Sequence, residues 1–150
     1  MAMQHSYTMD LKWTGKTDNL TYNRTFTLSG NGKSEIAGSA DPSSRGDATK
    51  WNPEEMLLAS LSSCHMLWYL YLCASAKIVV TEYHDNPIGI LNVDPKGKSS
   101  FAEATLNPKI VIADPSRIQE AIDLQKKAHD KCYIVNSVNF EVKLNPQVSH

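Results

Sequence analysis

Eight side chains could carry chemistry: Cys64, Cys73, Cys132, His65, His129, Arg24, Arg45 and Glu54. A thiolate is a nucleophile and a metal ligand, and its oxidised sulfenic acid condenses with a second thiol. Local chemistry alone also reads each cysteine as a small core hydrophobe. Cys73 lies nine positions after Cys64, about half a turn out of phase at roughly 100° per residue, and is assigned to packing. Cys132 has core packing and a resolving thiol as its two readings. A reactive thiol needs its anion held, and a departing peroxide oxygen needs a donor. Arg24, with a permanent charge and a forked donor set, could serve both needs, with Arg45 as the alternative. Glu54 could orient such an arginine, or simply favour a helix N-terminus. His129 and Cys132, three apart on one helix face, raise a zinc site with Cys64 as a competing possibility.

The bulk numbers narrow the setting. The chain has 150 residues, 41% hydrophobic and 21% charged, with a formal net charge of −1. That suits one domain over residues 1–150, with its basic residues scattered rather than gathered for a nucleic-acid or membrane surface. The N-terminal stretch lacks a basic segment followed by an apolar run, so no secretory signal is expected. Three cysteines are too few for a secreted scaffold, and a cytosolic location, where disulfides are transient, is expected.

These side chains must be placed by strands and two helices. Tyr7 to Thr14 and Leu20 to Leu28, joined by a Gly15–Asn19 turn cluster, predict an antiparallel pair. Ser34 to Gly38 predicts a short third strand. Asn52-Pro53-Glu54-Glu55 combines a cap, a proline at the first helical position and a capping-box glutamate. The helix that follows, through Ala76, is apolar nearly all round and is expected to be buried rather than membrane-spanning, with a second subunit as a natural cover. Ile78 to Tyr83, Ile88 to Val93 and Phe101 to Ala113 predict strands, the last irregular at Pro108. Asp114-Pro115 predicts a second helix start, and Ile118, Ala121, Ile122, Gln125, Ala128, His129 and Cys132 make its stripe. Val138 to Leu144 predicts a closing strand. The fold class is α+β, a mainly antiparallel sheet with two main helices.

Asn52-Pro53-Glu54-Glu55-Met56-Leu57-Leu58-Ala59, followed by Ser62-Ser63-Cys64-His65-Met66, resembles the osmotically inducible/organic hydroperoxide resistance (OsmC/Ohr) family. Ala128-His129-Asp130-Lys131-Cys132-Tyr133-Ile134-Val135-Asn136-Ser137-Val138 resembles it too. The resemblance implies an OsmC-like intertwined homodimer, with a six-stranded sheet from each chain around paired central helices. It implies a cysteine-based peroxidase in which Cys64 is oxidised by an organic hydroperoxide and Cys132 forms a disulfide with it. It also implies an Arg-Glu pair at the thiolate, matched here by Glu54 and, by approximate position, Arg24. An external dithiol, of lipoyl type by resemblance, would restore the thiols, and no cofactor is implied. Glu54 and Cys64 lie roughly 15 Å apart along a regular helix, so a composite site with Glu54 or Arg24 donated by a second chain is expected. Two other classes stay open: a redox sensor or small-molecule binding module on the same scaffold, and a structural zinc protein.

Overall fold

The computed structural model describes residues 3–150 and falls into two compact units, one ending at Met56 and the other spanning Leu57–His150. In the first unit β1 (Asp10–Lys12), β2 (Phe26–Ser29) and β3 (Ile36–Gly38) pair antiparallel in that order, with Leu11 opposite Leu28 and Leu28 opposite Ile36. The first two strands are shorter than the sequence predicts. Asn19 and Asn23 accept the backbone N–H groups of Thr21 and Thr25, two residues on. These local turns take donors that a strand would have offered to its neighbour.

Helix α1 (Pro53–Ser75) starts as the sequence predicts. The Asn52 side chain accepts the Glu55 N–H at 2.8 Å, and the Glu55 carboxylate accepts the Asn52 N–H at 3.1 Å. Two otherwise orphaned donors are thereby satisfied. Replacing Asn52 with alanine should cost about 1 kcal/mol, seen as a lower urea midpoint with unchanged slope.

The second unit holds six short strands: β4 (Val80–His84), β5 (Ile88–Asn92), β6 (Ser100–Leu106), β7 (Lys109–Ile112), β8 (Glu141–Leu144) and β9 (Gln147–Ser149). They form two sheets, β4-β7-β9 and β5-β6-β8. The β4–β7 and β5–β6 pairs are antiparallel, whereas β9 and β8 join in parallel. Pro87 separates β4 from β5, Pro108 separates β6 from β7, and Pro146 separates β8 from β9. A proline has no N–H for the ladder, so each extended segment is cut once. The described residues thus hold nine hydrogen-bonded strands in place of the seven expected: the break at Pro108, which the sequence marks, divides one run, and β9 beyond Pro146 was not expected.

Helix α2 (Ile118–Lys131) is preceded by a single 3-10 turn over Pro115–Arg117, where the Asp114 side chain accepts the Ser116 N–H. The cap-plus-proline signal is thus real but opens the 3-10 turn. Two apolar cores result. One gathers Tyr69, Cys73, Ile78, Ile110, Ile112, Ala121, Leu124 and Ala128; the other gathers Leu61, Ala104, Leu106 and Val142. Within one chain α1 buries only the stripe Leu61, His65, Tyr69 and Cys73, spaced by four residues. Leu67 and Tyr71 on other faces are each 63% exposed, so a single chain does not bury the helix on most sides.

Candidate active site

Cys64 sits midway along α1 and is partly exposed, while Cys132 caps the C-terminus of α2 and is wholly buried. The Cys64 thiol lies close enough to Cys132 to raise its ionisation, so two residues far apart in sequence are brought together. After Cys132 the chain turns sharply, its carbonyl accepting the Asn136 N–H at 3.1 Å. This turn aims the backbone N–H groups of Val135 and Ile134 at the Cys132 sulfur. Burial above all, with help from the Cys64 thiol and against the pull of the two N–H groups, pushes the Cys132 thiol up to about 11. At neutral pH Cys132 is therefore a thiol. Cys73 is buried on the Tyr69 stripe with its thiol raised by burial, in keeping with a packing role.

Around the thiols lies a buried polar pairing that the sequence did not announce. His65, the residue after Cys64, is fully buried, and its Nε2 meets the Gln125 Oε1 at 2.7 Å. The His65 and His129 rings stand edge to face, 6.1 Å between centroids. Burial lowers both histidines, so both are neutral near pH 7. The Gln125 bond and the Asp85 charge push His65 back up, while His129 pushes it down. Asp85 itself is held by the Ser62 hydroxyl at 2.5 Å and the Asn107 N–H at 2.7 Å. These ties fix the polar face of α1 in the globular unit. A glutamine within an otherwise apolar helical stripe was the available signal. Among the described residues no three His, Cys, Asp or Glu side chains gather closely enough to hold a metal ion, so Cys64, His129 and Cys132 do not form a chelating set.

The charged candidates lie in the N-terminal unit. Arg24 donates to the carbonyls of Tyr22 at 2.9 Å and Leu20 at 3.0 Å, and its guanidinium lies 4.1 Å from the Tyr22 ring centroid. Arg45 donates to the same Leu20 carbonyl at 3.1 Å. Neither arginine forms an ion pair with Glu54 among the described residues. One Glu54 oxygen is buried without a hydrogen-bond partner.

The chain matches the family model for OsmC-like protein over residues 46–147. It belongs to the OsmC-like family. Solved structures agree across the whole length. An OsmC-like protein of unknown function from Vibrio cholerae is 32% identical, with a TM-score of 0.86 over 95% of this chain and 99% of that one. An organic hydroperoxide resistance protein from Elizabethkingia anophelis, solved with thiocyanate bound, is 25% identical, with a TM-score of 0.70 over 99% of each chain. An organic hydroperoxide resistance protein from Legionella pneumophila is 18% identical and shares the fold, with a TM-score of 0.69 over 98% of this chain and 100% of that one. Among curated proteins none matches the chain. The α+β class, two helices and antiparallel-dominated sheets are those of OsmC-like structures. The family includes proteins of organic hydroperoxide resistance, a setting consistent with peroxide defence.

Proposed function

We propose that the protein is a cytoplasmic thiol peroxidase that reduces organic hydroperoxides through Cys64 and Cys132. The observation that carries this reading is a reachable thiol in contact with a wholly buried one. Their difference in accessibility supports Cys64 as the attacking thiol and Cys132 as the resolving one. The Cys64 thiolate attacks the distal peroxide oxygen, giving Cys64 sulfenic acid and an alkoxide, which takes a proton and leaves as the alcohol. Cys132, having lost its proton, then attacks the Cys64 sulfur and displaces hydroxide, which leaves as water. An external dithiol, of lipoyl type, reduces the resulting disulfide by exchange.

The Cys64 face of α1 continues through Leu67, Trp68 and Tyr71, which together with Lys131 line a cavity of about 410 Å³. Tyr133 packs edge-on against Trp68, and the Lys131 ammonium lies over the same ring. Apolar walls reward an apolar peroxide tail, so cumene hydroperoxide should exceed hydrogen peroxide in kcat/KM by at least about tenfold. Equal values would contradict this.

A second copy of the chain completes the site in this proposal. It covers the exposed Leu67 and Tyr71 face of α1 and brings Arg24 and Glu54 to the Cys64 thiolate, which gives the unpartnered Glu54 oxygen a role. A fully active monomer would sink this part. The decisive measurement for the thiol chemistry is a count of free thiols before and after one equivalent of tert-butyl hydroperoxide. Two thiols should disappear in each case, from the three of wild type and from the two of Cys73→Ser. Loss of none, or dependence on Cys73, would refute it.

A further inference from the structure

The thiol chemistry gives Arg24 a role but leaves Arg45, which converges with it, without one. Two guanidinium groups converge on one neutral acceptor, the Leu20 carbonyl, at 3.0 and 3.1 Å. Among the described residues neither has a carboxylate partner. The acids in the loop that carries Arg45 are engaged elsewhere: Asp41 accepts Ser43, and Asp47 holds Lys50 at 2.8 Å and Thr49 at 2.6 Å. Like charges gathered without a counter-charge form a place where an anion gains from both.

The chain spends conformational strain to keep them there. Arg45 has a φ of 64°, a left-handed conformation that glycine adopts far more cheaply. The turn is held by the Arg45 N–H on the Pro42 carbonyl at 3.0 Å and the Gly46 N–H on the Asp41 carbonyl at 3.1 Å. A Cβ on Gly46 would lie 1.6 Å from the Ala40 carbonyl oxygen, so the position next to Arg45 admits glycine alone.

Arg24 also lines a cleft of about 580 Å³, whose walls include Trp13, Tyr22, Phe26 and Ser44. Trp13 and Tyr22 stand edge to face at 6.0 Å, and the Trp13 Nε1–H is fixed on the Asn23 carbonyl at 2.6 Å. Both the charged end and the aromatic walls are thus pre-set by backbone contacts, the condition under which binding costs least entropy.

We propose that this cleft binds an organic carboxylate, its head group at Arg24 and Arg45 and its apolar body against Trp13, Tyr22 and Phe26. A planar carboxylate matches the guanidinium fork, and the apolar walls select for a ligand with a hydrocarbon body. Every residue in the argument belongs to the N-terminal unit, and Arg24 alone is shared with the role proposed above at the Cys64 thiolate.

The test is titration of the full-length, reduced protein with hexanoate, followed by the NMR signals of the Trp13 indole N–H and the Gly46 amide. Hexanol supplies the body without the charge, and inorganic phosphate supplies the charge without the body. Hexanoate should saturate both signals, with each of the other two probes at least about tenfold weaker. Arg45→Gly keeps the left-handed turn and relieves its strain, so it should melt no lower than wild type while losing hexanoate affinity at least about tenfold. Arg45→Lys should retain part of the affinity. Hexanol binding as tightly as hexanoate, phosphate binding as tightly as hexanoate, no saturable shift at Trp13, or unchanged affinity in Arg45→Gly would each overturn the proposal. Hexanoate should also inhibit hydroperoxide turnover, since it engages the guanidinium assigned to the Cys64 thiolate. Binding without inhibition would fail that assignment and leave the carboxylate site standing.

Discussion

Replacing Cys64 with serine should lower hydroperoxide turnover by at least about a thousandfold while leaving the fold intact. A serine hydroxyl is not ionised near neutral pH and cannot take the peroxide oxygen. Neither remaining thiol can substitute. Cys132 is 0% exposed and its thiol is pushed up to about 11 by burial; Cys73 is 1% exposed and raised for the same reason. The Cys132→Ser protein should behave differently. Its first turnover should proceed at the wild-type rate, because Cys64 is untouched, and then stop. The stranded sulfenic acid should go on to sulfinic acid as more peroxide is added, seen by mass spectrometry as two added oxygens. In wild type the disulfide-forming phase should quicken about tenfold per pH unit below the Cys132 value, as the thiolate fraction grows. Turnover retained by Cys64→Ser, or a sulfinic acid found on Cys73, would end the assignment.

The legible parts of this protein were those with a local cause. Asn52 and Glu55 announced the start of α1 because a reciprocal cap needs only residues three positions apart in sequence. The phase of Cys73 relative to Cys64 followed from helix geometry, and Pro108 marked a strand break because it lacks a donor. Non-local facts were not legible. Pro87 and Pro146 cut strands just as Pro108 does, but they sit between runs that already read as separate or as an ending. The short β1 and β2 depend on asparagine side chains winning the backbone of Thr21 and Thr25 from a neighbouring strand. Arg24 and Arg45 read as alternatives for one role, whereas both reach the Leu20 carbonyl. The contact of Cys64 with Cys132 was implied by the family motifs and by nothing in the spacing. His65 stood in the sequence only as one candidate side chain among eight. Its burial, and Gln125 as its partner sixty positions away, required the crossing of α1 with α2.

That buried pair carries the largest stability effects expected here. Gln125→Leu keeps the volume but leaves the His65 Nε2 without a partner, beside an Nδ1 that already has none. The cost should be about 1–3 kcal/mol at pH 8, read from urea melts. The double variant His65→Leu with Gln125→Leu should recover most of that loss, because two apolar groups leave no orphaned atom of the pair itself. The pH dependence follows from the same burial. The folded-state value of His65 lies below the ordinary 6.5, chiefly because burial penalises its charged form. As pH falls below 6.5 the unfolded chain binds a proton that the folded chain refuses, so stability falls and levels off only beneath the depressed folded value. His129 is lowered for the same reason and adds in the same direction. The Gln125 bond favours the charged ring, so Gln125→Leu should lower the folded value further and widen the acid-sensitive window. Removing His65 in the double variant should leave a shallower loss between pH 6.5 and 5. A double variant as acid-sensitive as wild type would show that the proton uptake on acid unfolding lies elsewhere. A recovered stability would show that the pair is kept beside the thiols for something other than holding the fold together.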